Sequence, residues 1–369
     1  MFRIRDPLHG TISLSATEEK LLDCRQMQRL RGIRQLATAY LVYPGANHTR
    51  FEHSIGTLFL ADRMCREMGM AEEKIAKVRA AALLHDIGHV AFSHEAEAVL
   101  KGKLGTHEGI GKRMALHGEV ADALSGEFSP KEIAGLCDTP LGSVITSDIG
   151  ADRMDYLLRD SHYTGVAYGV IDTQRVCTSA SLGKKGLLIR ERGLEAAESL
   201  LVARVMMFST VYLHKTVRIA SRMLQQAIVL ALSDGTLEEQ DFLGFGDAQA
   251  LDALCASPEA KGYAARIKGR RLFKKAYSVP MGKLRVPARK AEEELSAACG
   301  CPVLVDTPNL SAKAHILLEK KNGKILPLAR ESELVCALVE MQSRRLEALV
   351  MCNENDVPKA ARAAKRLFG

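Results

Sequence analysis

The sequence contains no apolar run that approaches the length of a membrane span, which needs about 20 consecutive apolar residues. Its first residues, Met1-Phe-Arg-Ile-Arg-Asp-Pro7, carry charge where a signal peptide requires an apolar stretch. These two absences predict a cytoplasmic protein that has no membrane among its partners.

Cysteine pairs with the spacing of a zinc or redox site are missing as well. The nine cysteines include no Cys-x-x-Cys pair, and the closest two, Cys299 and Cys301, are too near each other for an ordinary zinc knuckle. We therefore expect reduced thiols that mostly pack in the core. The sequence also shows neither an internal repeat nor a low-complexity tract.

The chain does contain enough apolar sequence for a substantial core. Hydrophobic residues make up 47% of its 369 positions, which is ordinary for a soluble globular protein. A chain of this length folds as one large domain or as one domain with a small appendage. The formal net charge of +7 is modest for this size, and it favours an anionic ligand without establishing one.

The most informative feature is the segment His85-Asp-Ile-Gly-His89. The apolar, helix-favouring run Ala80–Leu84 precedes it and Gly88 is a suitable helix terminator, so His85 and Asp86 are predicted in the last turn of a core helix. A buried His-Asp pair without partners is expensive to desolvate. We therefore expect other residues to complete this pair.

Two flanking segments supply such residues. Arg50-Phe-Glu-His53 lies upstream, and Asp152-Arg-Met-Asp-Tyr156 lies downstream. Two imidazoles and two carboxylates suit a divalent metal that binds and activates water, which makes a hydrolase the leading interpretation. The alternative is a structural cluster of one core histidine and its neighbouring aspartate, but the further histidines in 85–94 argue against it. The candidate metal ligands are His53, His85, Asp86 and Asp152.

Helical patterns dominate residues 1–235. Ser15 and Glu18 have capping-box spacing and predict a helix that runs to about Leu30, after a short extended segment at 5–15. From Leu194 to Leu232 the chain is almost free of glycine and proline, which indicates one or two long helices. Other helices are predicted at Arg50–Met68, Glu72–His85, Thr106–Leu116, Pro130–Cys137 and Asp148–Arg159.

The character of the sequence changes after Asp234, where glycine and charged residues increase. Asn322-Gly323 is a strong hairpin signal between the apolar runs Ala314–Leu318 and Ile325–Leu328. A further strand is predicted at 302–306, and amphipathic helices are predicted around 331–351 and 357–367. The predicted fold class is mainly α, with a helical domain over about 1–235 and a smaller α+β region over about 236–369.

Several motifs stand in a specific order between residues 6 and 230. They are Asp6-Pro-Leu-His-Gly10, Gln28-Arg-Leu-Arg31, Gln35-Leu36, Tyr43-Pro-Gly-Ala46, Arg50-Phe-Glu-His53, Leu84-His-Asp-Ile-Gly-His89, Phe92-Ser-His94, Thr106-His-Glu108, Asp152-Arg-Met-Asp-Tyr156 and Tyr212-Leu-His-Lys215. This set resembles the HD-domain phosphohydrolases, most closely their deoxynucleoside triphosphate triphosphohydrolase branch. The resemblance implies an HD-domain helical bundle and one divalent metal ion (Fe, Mn, Ni, Zn or Mg) on the four candidate ligands.

The resemblance also implies the substrate pocket. Arginine binds phosphate through a bidentate fork, and histidines near phosphates can donate a proton to the leaving oxygen. The implied substrate-binding residues are Gln35, Arg50, Arg153, Tyr156, Asp160, Arg204, Tyr212 and Lys215. The implied catalytic residues are His89, His94, His107 and Glu108, with His94 or His107, steadied by Glu108, as the acid that protonates the 5′-oxygen.

Three positions depart from the pattern of that branch. Arg153 stands where a lysine is expected, which preserves a phosphate contact but changes its geometry. Phe208 replaces a histidine near the site, and Leu194 replaces a lysine of a second, regulatory nucleotide site. The residues that match this regulatory site, which lies at subunit contacts in the family, are Asp23, Gln28, Arg31, Arg175, Arg192, Arg270 and Lys274. The alternative for the last two is a basic surface helix.

The implied reaction is hydrolysis of a deoxynucleoside triphosphate to the deoxynucleoside and triphosphate, in a homo-oligomer that by family likeness is a tetramer. One rival is another HD hydrolase, a nucleotidase or an enzyme of signalling nucleotides, although the Gly-Tyr-Pro element of the cyclic-dinucleotide enzymes is absent. The other rival is a non-catalytic protein that binds nucleotide or nucleic acid, which the intact ligand set and the histidine cluster do not favour.

Overall fold

Helices form most of the computed structural model, which describes residues 2–308, 315–344 and 346–369. The α-helices in the described part are α1 (Ala16–Asp23), α2 (Arg25–Arg29), α3 (Arg50–Glu67), α4 (Glu72–Leu84), α5 (Ser93–Leu104), α6 (His107–Ala115), α7 (Gly118–Leu124), α8 (Pro130–Gly135), α9 (Ser143–Thr146), α10 (Ala151–Thr164), α11 (Thr173–Ser179), α12 (Leu194–Met207), α13 (Lys215–Ser233), α14 (Asp247–Ala256), α15 (Lys261–Lys268), α16 (Ala288–Cys299), α17 (Glu333–Arg344) and α18 (Val357–Phe368). The predicted fold class, mainly α with a smaller α+β region at the C-terminal end, is confirmed.

Three small sheets accompany the helices. Their strands are β1 (Phe2–Asp6), β2 (Gly10–Leu14), β3 (Ala180–Gly183), β4 (Gly186–Arg190), β5 (Lys274–Pro280), β6 (Val303–Asp306), β7 (Leu317–Glu319), β8 (Ile325–Pro327) and β9 (Glu347–Cys352). The first two strands form an antiparallel hairpin, the second sheet has the order β3-β4-β7-β8, and the third has the order β5-β9-β6. Strand β7 runs parallel to β4, so the C-terminal region contributes to a sheet that begins near residue 180.

The predicted start of the first helix is confirmed, but its predicted length is wrong. Ser15 and Glu18 form the capping box in which each side chain accepts from the other residue's backbone N–H. The helix then ends at Asp23, because Cys24 has an extended ψ of 139°. A long-range contact fixes this break, since Glu119 accepts hydrogen bonds from both the backbone and the side chain of Arg25.

Helices α3, α4 and α10 pack together in the largest hydrophobic core, and this packing positions the candidate metal ligands. A close approach between α3 and α10 depends on Gly56. A Cβ at this position would lie 1.9 Å from the Asp155 carboxylate and 2.3 Å from the Arg159 guanidinium. Any larger residue at position 56 would therefore push α10 away from α3.

A second core joins α13 to α5, α14 and α15. The long helical segment predicted at 194–232 is two helices, α12 and α13, which are separated by a π-helical turn at Phe208–Tyr212. Because α14 and α15 lie beyond residue 235 and share a core with α5, the predicted boundary at 235 separates segments that pack closely. That boundary stays a prediction.

The smaller α+β region has its own core between the sheet β5-β9-β6 and helices α16 and α18. The predicted strand at 302–306 and the hairpin at Asn322-Gly323 are confirmed as β6 and as the turn between β7 and β8; Ala314 lies outside the described residues. The helix predicted over 331–351 is wrong after Arg344, because residues 347–352 form the central strand β9. A short apolar run buried on both faces has no period that distinguishes strand from helix.

The basic segment at 266–275 is not a continuous helix. Helix α15 ends at Lys268, Arg270 has a left-handed φ of 52°, and strand β5 begins at Lys274. The alternative interpretation of this segment as a basic surface helix is therefore wrong.

No single helix among the described residues is long and apolar enough to span a membrane. One pair, Glu191–Tyr212 with Lys215–Ser233, reaches that length and composition only when both parts are taken together, and they are bent by 64°.

Candidate metal and catalytic site

The four candidate metal ligands converge from three helices. His53 projects from α3, His85 and Asp86 follow the end of α4, and Asp152 lies in the first turn of α10. The His53 Nε2 atom lies 3.0 Å from a carboxylate oxygen of Asp152 and 3.8 Å from one of Asp86. The His85 Nε2 atom lies 3.4 Å from Asp86 and 3.8 Å from Asp152. Atoms that bind one ion at roughly 2.0–2.2 Å must lie within about 4 Å of one another, so this geometry fits a metal site.

Each of the two histidines directs one ring nitrogen toward the candidate site: His85 Nε2 has no hydrogen-bond partner, and His53 Nε2 contacts the candidate ligand Asp152. The Nδ1–H of His85 donates to the carbonyl oxygen of Ala82 at 2.7 Å, and its Nε2 atom is buried without a hydrogen-bond partner. The Nδ1–H of His53 donates to Asp155 at 2.8 Å. Metal-bound histidines commonly have such an outer partner, which fixes the ring and its tautomer.

Asp155 is held by a buried network that supports His53. The Arg159 guanidinium donates to both of its oxygens at 2.9 Å and also donates to Asp6 at 2.9 Å. His9 Nε2 lies 2.7 Å from Asp155, and its ring stacks on Phe59. Although burial opposes the charge, Arg159 and His53 hold the pKa of Asp155 well below its usual range. No role was predicted for Asp155, although it lies in the motif 152–156 and its partners His9 and His53 lie in the motifs 6–10 and 50–53.

Arg50, a predicted substrate ligand, is almost completely buried beside the metal ligands. Its guanidinium lies 2.5 Å from Asp86 and donates through Nε to the Ser93 hydroxyl at 2.6 Å. Burial opposes ionisation of Asp86, but the neighbouring His85 and Arg50 hold its pKa well below the usual value. Burial also opposes ionisation of Asp152, but its contact with His53 lowers the pKa of this carboxyl. Both carboxylates are therefore ionised at neutral pH and available as ligands.

Three histidines form a second group next to the metal ligands. The rings of His89 and His107 stack with centroids 3.9 Å apart, and His94 packs edge-on against both. Gly88 makes this possible, because a Cβ there would lie 2.1 Å from the backbone oxygen of His107. His89 Nε2 also lies 3.3 Å from Asp86, so the second group adjoins the first.

Glu97, for which no role was predicted, joins two of these histidines. Its carboxylate lies 3.0 Å from His107 Nδ1 and 3.2 Å from His94 Nδ1, and it accepts the backbone N–H of His107 at 3.1 Å. The predicted partner Glu108 lies 3.4 Å from His107 Nε2, and its side chain is 62% exposed against 15% for Glu97. Glu97 stands one helical turn after His94, and this i, i+3 spacing is the signal that would have found it.

Burial and ion pairing shift the pKa values of this group in opposite directions. Burial disfavours a charged His107, but the hydrogen bond to Glu97 raises the pKa of His107 above its usual value. For Glu97, His107 and His94 outweigh burial and lower the pKa of the carboxyl. Burial and the charge of Arg50 hold the pKa of His89 well below its usual range, so His89 is neutral. The ligand atoms of His89, His94, Glu97 and His107 also lie within 4.8 Å of one another, so this group could hold a metal ion as well.

A cavity of about 1080 Å³ opens beside both groups. It extends from Arg50 and His94 to helix α13 and to helix α16 of the smaller region. The predicted substrate residues that line it are Gln35, Arg50, Tyr156, Asp160 and Tyr212. The residue Phe208, noted as a departure, lines it too and packs edge-on against Tyr212 at 4.9 Å.

The remaining predicted phosphate ligands are not part of the cavity lining. Arg153 lies 2.5 Å and Arg204 lies 3.3 Å from the same oxygen of Asp148. Both guanidinium groups retain buried nitrogen atoms without a hydrogen-bond partner, so each has capacity for another acceptor. Lys215 is exposed at the start of α13.

Asp160 lies in a hydrogen-bonded group at the floor of the cavity. It accepts from the Tyr212 hydroxyl and lies 2.8 Å from His48 Nε2, and the His48 ring stacks on Tyr163 at 4.8 Å. Burial and the Asp160 charge hold the pKa of Tyr212 well above its usual value, so its hydroxyl keeps its proton.

The predicted regulatory residues occur in three separate groups. Arg31 donates to the Gln28 side chain at 2.9 Å, near the exposed Asp23, and Arg175 donates to the backbone oxygen of Arg192 at 2.6 Å. Arg270 donates to the backbone oxygen of Leu41 at 2.9 Å, and Lys274 begins β5. Within the described residues no hydrogen bond or ion pair joins one group to another.

Residues 50–160 match the HD domain family, and residues 171–369 match the family described as the HD associated region. The chain therefore belongs to the HD-domain phosphohydrolase superfamily, in the group that carries this associated region. A solved structure of a hypothetical protein from Aquifex aeolicus has the same fold, with a TM-score of 0.84 and 28% identity over 98% of this chain and 99% of its own.

Two curated proteins are similar to this chain in sequence. An uncharacterized protein of Methanocaldococcus jannaschii is 41% identical over 277 residues, which are 73% of this chain and 58% of that protein. A protein of Dictyostelium discoideum, named as a deoxynucleoside triphosphate triphosphohydrolase homologue, is 28% identical over 276 residues, which are 66% of this chain and 53% of that protein. The chain thus spans little more than half the length of these relatives.

Proposed function

We propose that this chain is a metal-dependent phosphohydrolase that converts deoxynucleoside triphosphates to the deoxynucleoside and inorganic triphosphate. The observation that supports this most is the meeting of three features: the four metal ligands, the His-Glu group and a cavity lined by Gln35, Tyr156, Asp160 and Tyr212. Amide, phenol and carboxylate groups can hydrogen-bond a sugar, and the volume of about 1080 Å³ accommodates a nucleotide.

The four ligands His53, His85, Asp86 and Asp152 would hold one divalent ion. When bound, such an ion neutralises phosphate charge and activates water for attack on phosphorus. Mixed nitrogen and oxygen ligation does not select one metal among Fe, Mn, Ni, Zn and Mg.

The arginines around this centre would stabilise charge that develops on the phosphates. Arg50 is fixed in place by Asp86 and Ser93, so it costs little reorganisation when the substrate binds. Arg153 and Arg204 share one carboxylate oxygen of Asp148, which leaves net positive charge for a phosphate. The exposed Lys215 would contribute only a long-range attraction.

We assign protonation of the leaving 5′-oxygen to His94, because its ring lines the cavity whereas His107 lies behind it against His89. Glu97 accepts from His94 Nδ1 and thereby directs the other ring nitrogen outward. His107 stays protonated through its own contact with Glu97 and keeps that carboxylate in place.

The products of dGTP hydrolysis test the proposed reaction. Inorganic triphosphate and deoxyguanosine should appear in a one-to-one ratio, because cleavage occurs at the α-phosphorus. Ion chromatography of the phosphates and reversed-phase analysis of the nucleoside would measure both. Stepwise release of single phosphates, or turnover only of monophosphates, would instead favour a nucleotidase or a signalling-nucleotide hydrolase. Tight nucleotide or nucleic-acid binding without any turnover would favour the non-catalytic alternative.

We further propose that the protein is a homo-oligomer, by family likeness a tetramer, in which a nucleotide bound between subunits bridges the basic residues. Because such a ligand would neutralise charges that otherwise repel, binding and assembly should be linked. The residues concerned are Asp23, Gln28, Arg31, Arg175, Arg192, Arg270 and Lys274.

The double variant Arg270→Glu, Lys274→Glu should shift the protein toward smaller species and lower its rate without loss of metal. Sedimentation velocity with and without GTP, together with dGTP turnover, would measure this. The control is Lys184→Glu, Lys185→Glu, which reverses the same number of charges at the exposed turn between β3 and β4. If the first variant matches the parent in mass and rate, regulation at this surface is excluded and the enzyme is a constitutive hydrolase.

A further inference from the structure

We propose that Asp247, a residue of the HD associated region, is a positioning residue for the hydrolytic site of the HD domain. Its carboxylate holds the backbone segment before His94 and the backbone segment before Gln35 in one arrangement. This inference rests on hydrolysis at the HD site as proposed above, but its geometry can be tested without a substrate.

Asp247 is the first residue of α14 and is only 1% exposed. One carboxylate oxygen accepts the backbone N–H of Phe92 at 2.7 Å, and the other accepts the backbone N–H of Arg34 at 3.0 Å. The two segments that it joins lie 155 and 213 residues away in the sequence. A single side chain of the associated region thus accepts hydrogen bonds from the two backbone segments that precede His94 and Gln35.

The segment that Asp247 holds is strained. Phe92 has a φ of 62° and Ser93 has a φ of 53°, a left-handed conformation that residues with a Cβ rarely adopt. Such a backbone conformation is energetically unfavourable and persists only where the surrounding structure enforces it. The hydrogen bond from the Phe92 N–H to Asp247 stabilises this conformation at the first of the two residues, Phe92.

The strained conformation has a consequence for the site. It places the Ser93 hydroxyl where Arg50 donates to it at 2.6 Å, and it starts α5, so that His94 stands in the first turn of that helix. Relaxation of residues 92 and 93 would move Ser93 away from Arg50 and rotate His94 away from the cavity. The orientation of both groups therefore depends on the contact with Asp247.

A second residue holds the same segment from its other side. Arg29 donates to the backbone oxygens of His89 at 2.6 Å and Ile87 at 3.2 Å, and it reaches Phe245 in the associated region at 3.5 Å. The chain from 87 to 93 is thus fixed by a cation on two of its carbonyl groups and a carboxylate on the Phe92 N–H. Phe245 lies just before α14, and Asp247 is the first residue of that helix.

An aspartate is specifically suited to this position, because it offers two acceptor oxygens and no donor. An asparagine retains one acceptor but introduces an NH₂ group that faces a backbone N–H. An alanine leaves two buried N–H groups unsatisfied, which destabilises the segment most. The charge itself is not favoured, since burial raises the pKa of Asp247 to about 6 even with Arg34 and Arg50 nearby.

The variants Asp247→Asn and Asp247→Ala test the inference with three measurements. Amide hydrogen exchange, followed by mass spectrometry on peptides that contain residues 90–94, should become faster in both, most in the alanine variant. Metal content by elemental analysis should stay at the parent value. The kcat for dGTP should fall roughly 10- to 100-fold with KM changed far less, because misplacement by about 1 Å costs rate on that scale.

The control is Asp234→Ala, which removes a carboxylate that also accepts two backbone N–H groups in the associated region, from Thr236 and Glu259. It should leave exchange at 90–94 and the kcat unchanged. Unchanged exchange and kcat in Asp247→Ala would overturn the proposal, as would a rate loss that only follows metal loss or global unfolding in both variants. If the parent does not hydrolyse dGTP, the proposed function fails, and the exchange data alone decide whether Asp247 holds the segment.

Discussion

Replacement of both His85 and Asp86 by alanine should remove the bound metal and reduce hydrolysis by about a thousandfold or more. The reason is that His53 and Asp152 alone supply only two ligands, and a bound ion contributes several kcal/mol of charge stabilisation, where each 1.36 kcal/mol corresponds to a tenfold change in rate. Elemental analysis of the purified variant and its turnover of dGTP measure the two effects separately.

The matched control for this variant is His117→Ala with Asp122→Ala, which removes the same two residue types from exposed positions of the HD domain. It should keep both metal and rate. Removal of Asp86 also leaves the buried Arg50 without its carboxylate, so the melting temperature must be recorded with the metal content. Full metal content in the His85, Asp86 variant would show that the metal is bound elsewhere, and the group around Glu97 would then be the first candidate.

Replacement of His94 by alanine should lower kcat by roughly 10²–10⁴-fold, the usual contribution of a positioned general acid, with metal content unchanged. Glu97→Gln should lower kcat less, because His94 and its ring remain but lose the carboxylate that orients them. Glu108→Gln should stay close to the parent rate, since Glu108 is largely exposed and Glu97 already bonds His107.

The pH dependence distinguishes these roles. Glu97 raises the pKa of His107, so the protonated form is present below that raised pKa and is lost as the pH rises through it. In Glu97→Gln the titration profile of the His107 ring, followed by NMR, should shift so that the pKa of His107 falls toward its usual value. An unchanged profile in Glu97→Gln, with a shifted one in Glu108→Gln, would reverse the assignment of the two glutamates.

The sequence by itself determined the residue types of the candidate metal site and the mainly helical fold. His85 and Asp86 are adjacent in the chain and directly follow helix α4, which ends at Leu84 rather than including them as predicted, so a local pattern was nearly sufficient. The capping box at Ser15 and the Asn322-Gly323 turn were predictable for the same reason, because each depends on neighbours within a few residues.

Tertiary structure alone decided which groups surround that centre. Asp155 contacts His53 across 102 residues, and Asp247 contacts Phe92 across 155, separations at which no local period carries information. The same limit explains why 347–352 was predicted as helix: its apolar run is buried between β5 and β6, and only the partner strands define it as a strand. Local hydrogen bonds and side-chain periods thus fixed the helices, whereas the positions of Arg50, Glu97 and Asp247 around the metal ligands follow from packing between segments far apart in the chain.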